Sequence, residues 1–156
     1  MITSSVFPAP PEALAHGFET DIEADLPLLW AIIRSAQPKM VVELGVRHAI
    51  STKTIAHAME DQGTFIAIDP DPTCMNHMSS LVSNRSFAFW ALTGEEFTSR
   101  CDAHTQIDLL MIDTDPHEYD QTLMWLNLYQ PYLAPGSIIL FHDIIQNRPE
   151  IQVAQA

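Results

Sequence analysis

Five short apolar runs, separated by stretches with helical spacing, constrain this chain more than any other feature of its sequence. The runs lie at 40–44, 64–68, 87–91, 107–112 and 137–141 and are rich in Val, Ile, Leu and Phe. They are too short for helices and too continuous for strands with one wet face, so they read as parallel strands buried on both sides. Apolar residues at helical spacing occupy 21–36, 51–60, 72–82, 95–100 and 119–133. This alternation predicts an α/β chain, doubly wound, with a mainly parallel sheet, helices on both faces and right-handed crossovers.

The length of 156 residues suits one such domain. Residues 1–20, with the Pro-rich "FPAPPEA", read as an N-terminal arm, and residues 21–156 as a single domain. Asp and Glu outnumber Lys and Arg by 20 to 7, a formal charge of -13, so the average surface repels phosphate backbones and anionic lipid. Nucleic acid is therefore not expected as a partner. No stretch approaches a membrane span, and the first residues lack a basic start followed by an apolar run, which places the chain in the cytoplasm. Cys74 and Cys101 stand apart without metal spacing and read as reduced thiols.

Small and acidic residues mark one edge of the expected sheet. Gly45 and Gly94 follow predicted strands, while Gly63 and Gly136 precede them. Asp69, Asp71, Glu95, Glu96, Asp113, Asp115 and Asp143 fall at or just past carboxyl ends of strands, the edge that holds ligands in open α/β sheets. Carboxylates also cap the helices that begin there, a second reading open for each acid.

The stretch "VVELGVRHAIST", residues 41–52, sharpens the ligand class. A dinucleotide site uses G-x-G-x-x-G to bring backbone against a pyrophosphate, and here only the first glycine, Gly45, is present. A nucleoside without a pyrophosphate needs less: one turn glycine, and an acid ending the second strand to accept from ribose hydroxyls. Asp69 in "FIAIDPDP" is that acid, 24 residues past Gly45 and near the roughly 20-residue span of one strand-helix-strand unit.

Together with "IDLLMIDTDPHEYDQTLMWLNLYQPYLAPGSIILFHDI", these segments resemble Rossmann-like class I S-adenosylmethionine-dependent methyltransferases. The likeness is to the small O-methyltransferase-like branch that includes cephalosporin hydroxylase-like enzymes, and it covers about four fifths of the chain. The first loop resembles E-x-G-x-x-x-G-x-S-T, and a Pro-Gly turn leads to a fifth strand ending in His-Asp. The resemblance implies a methyl donor cradled by Glu43, Gly45, Arg47 and Ser51, Asp69 on its ribose, Thr93, Gly94 and Glu95 near its adenine, and Asp113 closing the fourth strand. Ala49 stands near the family's second loop glycine, and "DTDPHEYD" moves the following histidine to His117 behind a proline. The family fold continues with two further strands, which this chain is expected to lack. The "SIILF" run would then form a bare sheet edge, for which self-association into a homo-oligomer is one remedy.

Methyl transfer needs alignment and deprotonation of an acceptor, here a small-molecule hydroxyl, and no covalent nucleophile. His142, His117 and Asp115 follow strands at the ligand edge and are the candidate bases. His16, His57, His77 and His104 read as surface or packing residues, and Trp30, Trp90, Trp125, Met75, Met78 and Met124 as core. Asp113 and Asp143 end neighbouring strands about 4.8 Å apart and are candidate ligands for Mg²⁺, the alternative being two acids that accept from loop amides. Two other functions remain open at this point, a module that binds S-adenosylmethionine without catalysis and an NAD-dependent oxidoreductase.

Overall fold

A computed structural model describes residues 21–81 and 86–143, with the Asp21 side chain left aside. Five strands, β1 (Met40–Leu44), β2 (Thr64–Ile68), β3 (Phe87–Trp90), β4 (Ile107–Ile112) and β5 (Leu133–Phe141), form one sheet ordered β3-β2-β1-β4-β5. Every neighbouring pair is parallel, as continuous apolar runs require. Alternate residues of each strand serve opposite faces. Val41, Phe65, Leu109 and Met111 pack with helices α1 (Leu26–Ala36) and α2 (Ile50–Met59). Val42, Ile66, Leu110 and Ile112 pack with α3 (Gly94–Thr98) and α4 (Tyr119–Tyr129), where Phe97, Trp125 and Tyr129 stack in sequence. This is the expected doubly wound arrangement with helices on both faces.

The departures are local and have backbone causes. The helix expected over 21–36 opens as a 3-10 turn, Asp21–Asp25, because Pro27 has no N–H and its ring opposes a continuous α-helix through the preceding turn. The helix expected over 72–82 is instead two 3-10 segments, Pro72–His77 and Ser79–Leu81. There Asp71 accepts from the Thr73 N–H at 2.8 Å, and Thr, Asn and Ser side chains favour local turns over a continuous ladder. The helix expected over 119–133 ends in a 3-10 turn, Gln130–Tyr132, at Pro131.

The fifth strand also starts earlier than expected. Gly136 lies within β5 rather than before it, at φ +82°, and the β4–β5 register slips where Ile107 pairs with Leu133 and Leu109 with Ile138. The extra residues bulge around Pro135 and Gly136, which supply the missing donor and the left-handed turn. Among the described residues no strand pairs with the outer edge of β5. The N-terminal arm at 1–20, Val82 and the tail at 144–156 lie outside the described residues.

The strand order reverses direction at β1, where β2 lies on one side and β4 on the other. There the chain passes at its closest. Gly45 takes φ +86°, its N–H donates to the Ile68 carbonyl at 2.9 Å, and a Cβ on it would overlap the Asp113 carbonyl. Asp113 in turn donates its N–H to the Leu44 carbonyl at 2.8 Å. Gly45→Ala is expected to cost about 2 to 4 kcal/mol, from left-handed strain plus overlap with backbone. Urea unfolding with an unchanged m-value checks this, and a loss under 1 kcal/mol would contradict it.

Candidate functional site

The carboxyl edge of the sheet opens into a cavity of about 670 Å³, within the range of small-molecule sites. Its walls are the loops that follow the five strands. Of the residues expected to hold a methyl donor, Gly45, Arg47, Ser51, Asp69, Thr93, Gly94, Glu95 and Asp113 all line it. His142, His117, Asp115 and Asp143 line it as well.

On the β1–β2 side the loop is held by one carboxylate. Asp69 Oδ2 accepts from the N–H groups of Val46 at 2.9 Å and Arg47 at 3.3 Å, and Oδ1 from Asp71 at 2.9 Å. An ionised carboxylate offers about four acceptor positions, so roughly one remains for a ligand hydroxyl. Arg47 and Ala49 take φ +46° and +58°, and Ala49 leads into α2 without a capping side chain. The loop thus adopts left-handed turns without the second glycine, at a cost of roughly 1 to 2 kcal/mol per residue. Next to it Cys74 is buried, and burial first, then the charges of Asp69 and Asp71, pushes its thiol up to about 11. It is a packing residue and no nucleophile at neutral pH.

Beyond β3, Thr93 and Glu96 form a reciprocal capping box at the start of α3. The Gly94 carbonyl accepts from the Tyr129 hydroxyl at 3.0 Å, fixing α3 against α4. Glu95 lines the cavity from that first turn.

On the β4–β5 side two imidazoles meet four acids. His142 Nδ1 lies 3.2 Å from Asp113 Oδ1 and 3.6 Å from Asp143 Oδ2, and its Nε2 lies 3.8 Å from Asp25 Oδ2. His117 Nδ1 lies 3.2 Å from Asp115 Oδ1, while its Nε2 is 3.6 Å from Asp113 Oδ1, an ion-pair distance longer than a hydrogen bond. Burial alone would raise the Asp113 carboxyl, but the two histidines outweigh it and hold it at about 2. His117 is raised, chiefly by its pairing with Asp113 and against a smaller opposing effect of burial.

The expectation of Mg²⁺ at Asp113 and Asp143 finds no support in this geometry. Among the described residues no group of three or more His, Cys, Asp and Glu could hold a metal ion. An imidazole nitrogen lies near both acids, where a shared cation would have to sit.

Glu43 also sits elsewhere than a ligand contact would need. It is 0% exposed and is not in the cavity lining; its Oε2 accepts from Thr52 Oγ1 at 2.7 Å in the first turns of α2. Sequence reading passed over Ile22, His48 and Gln121 as cavity residues and placed Met124 and Trp125 in the core. Trp125 is indeed buried, with its Nε1 donating to Thr114 Oγ1 at 3.1 Å, and still forms part of the wall. Its place within the predicted helix facing the fourth-strand loop was the available signal.

Comparison with known proteins agrees with this fold. A family model described as "Methyltransferase domain" matches residues 42–144. The chain belongs to this methyltransferase-domain family. No curated protein matches it. A methyltransferase from Geobacter sulfurreducens superposes with a TM-score of 0.67 at 20% identity, over 80% of this chain and 62% of that one. A methyltransferase of Podospora anserina, solved with S-adenosylhomocysteine, gives 0.66 at 14% identity, over 81% and 54%. The O-methyltransferase TomG of Streptomyces achromogenes, solved with S-adenosylmethionine, gives 0.67 at 13% identity, over 84% and 63%. These identities show a shared fold, and this chain spans less than two thirds of the length of each of the three.

His117 gives the site a pH-dependent share of stability. Its folded pKa lies above the ordinary value of 6.5, so its contribution is complete below that value and is lost as pH rises through the folded value. His117→Gln should therefore lower the melting temperature more at pH 5.5 than at pH 9. An equal loss at both, read by calorimetric scans, would refute the ion pair.

Proposed function

We propose that this chain transfers a methyl group from S-adenosylmethionine to a hydroxyl of a small molecule. The observation that carries the reading is one cavity with two chemically distinct ends, the Gly45–Asp69 loop on one side and the His142–Asp113–His117 cluster on the other. Family membership supports it and removes the reason for the NAD-dependent alternative, whose glycine fingerprint is absent.

The donor, when bound, supplies a methyl group on a sulfonium that a deprotonated oxygen can attack. Gly45 lets backbone approach the ligand, Asp69 keeps an acceptor position for a ribose hydroxyl, and Arg47, Ser51, Thr93, Gly94 and Glu95 line the remaining wall. With the Nδ1 proton of His142 donated to Asp113, Nε2 is left to take a proton from an acceptor hydroxyl. His117, whose pKa is raised between Asp113 and Asp115, serves as a counter-charge and not as the first base. No step needs a metal bridging Asp113 and Asp143.

Two further parts belong to this reading. Two free cysteines and the absence of a membrane-crossing helix among the described residues suit a cytoplasmic enzyme. The outer edge of β5 suits coverage by a second copy, since most of its residues are half-buried and no strand lies beyond them among the described residues.

Asp69→Ala should weaken S-adenosylmethionine binding by about 1.5 to 3 kcal/mol in calorimetry. His142→Gln should leave that affinity within about threefold and reduce kcat at least about a hundredfold toward a catechol- or sugar-type hydroxyl. Activity should be indifferent to EDTA. Unchanged affinity in Asp69→Ala would overturn the cofactor assignment, and binding without turnover on any hydroxyl would favour a non-catalytic module. Light scattering at micromolar concentration should show an oligomer, and a monomer would count against the shared edge.

A further inference from the structure

Glu43 is the acid of the first strand that the proposed function leaves without a task. A buried carboxylate normally requires a cation or several donors around it. Glu43 has neither. Thr52 donates one hydrogen bond to Oε2, and Oε1 has no hydrogen-bond partner. The Ser51 hydroxyl lies against the same carboxyl without completing a hydrogen bond. The charged groups that face it are Asp69 from the end of β2 and Asp113 from the end of β4, both acids, while α2 offers only Ser51 and Thr52. Burial above all, with those two acids adding to it, pushes the carboxyl up to about 8.

Ser51 connects this buried group to the cavity, because it touches Glu43 on one side and lines the wall on the other. We propose that Glu43 is a positioning residue that stays neutral and donates a hydrogen bond from its carboxylic O–H to Ser51 Oγ, so that the Ser51 hydroxyl is turned into the cavity as a donor. A serine hydroxyl has one proton. When it accepts from Glu43, that proton is free to reach an anionic group of a ligand. An ionised Glu43 would draw the same proton inward and leave oxygen lone pairs facing the cavity, which repel an anion. The arrangement therefore selects a ligand with a carboxylate, as on a nucleoside that bears an amino acid. The inference rests on the proposed methyl-donor site for that ligand, and the neutral state of Glu43 can be tested without it.

The binding test uses S-adenosylhomocysteine with wild type, Glu43→Gln and Ser51→Ala at pH 7 and pH 9.5. A glutamine amide still donates to Ser51, so Glu43→Gln should bind within about threefold of wild type at pH 7. At pH 9.5 wild type should fall about tenfold below Glu43→Gln, because only wild type ionises at this position. Titration of the ligand's own amino group is common to both and cancels. Ser51→Ala should bind more weakly at pH 7. Parallel pH profiles for wild type and Glu43→Gln would overturn the proposal.

The second measurement needs no ligand. The infrared difference between wild type and Glu43→Gln at pH 7 should contain the carbonyl stretch of a protonated acid, and ionised carboxylate bands in its place would overturn the proposal. Should Glu43→Gln fail to fold, the acid band of wild type followed from pH 6 to pH 10 gives the same decision. If wild type takes up no S-adenosylhomocysteine at pH 7, the proposed function falls while the infrared result still decides the state of Glu43.

Discussion

The contact of Gly45 with the Asp113 carbonyl is the constraint on which the rest of the site depends. It lies where the winding of the sheet reverses, between β1 and β4, so the loops that follow these two strands leave the sheet side by side instead of covering each other. A side chain at Gly45 would force them apart. Held this close, the two loops place Asp69, reached through Val46 and Arg47, and Asp113 on opposite walls of one cavity. The crevice at a switch point is a property of the topology, and Gly45 sets how tightly it closes.

Charge is the second constraint. A chain with a formal charge of -13 gathers many of its acids at one sheet edge, where their mutual repulsion would oppose folding if each stayed exposed to the others. Three different solutions appear in and beneath one cavity. Asp69 satisfies backbone amides, Asp113 is flanked by His117 and His142, and Glu43 is buried deeply enough that its neutral form is favoured. The imidazoles therefore hold the acidic cluster together as well as offering a base, which ties the proposed chemistry to the stability of the same loops.

Much of this was legible in the sequence because strands buried on both faces carry continuous apolar runs; four of the five strands end where those runs end. The acids at the carboxyl edge followed from strand ends alone. What was not legible depended on backbone detail. Residues 72–82 have helical spacing yet form 3-10 turns, since Asp71 and the Thr, Asn and Ser side chains compete for backbone donors. The bulge at Pro135–Gly136 lengthens β5 by adding pairing at Leu133, which an apolar run cannot reveal. Glu43 was read as a wall residue by analogy with related loops, although its parity with Val41 points it into the layer beneath α1 and α2. His48, in the loop after β1, and Gln121, in the first turn of α4, line the cavity without any apolar or acidic strand-end signal to mark them.

The same loop explains why the two missing glycines bear on the ligand class. In a dinucleotide site the amides after the first strand point at a pyrophosphate, and glycines keep that approach clear. Here the amides of Val46 and Arg47 are already engaged by Asp69, so an incoming phosphate would meet a carboxylate where it needs donors. The side chains of Arg47 and Ile50 further occupy positions that glycines would leave open. A ribose hydroxyl faces the opposite balance, since it can donate to the acceptor position that Asp69 retains. On the proposed reading the loop disfavours a diphosphate by the direction of its hydrogen bonds as much as by its bulk, and suits a nucleoside for the same reason.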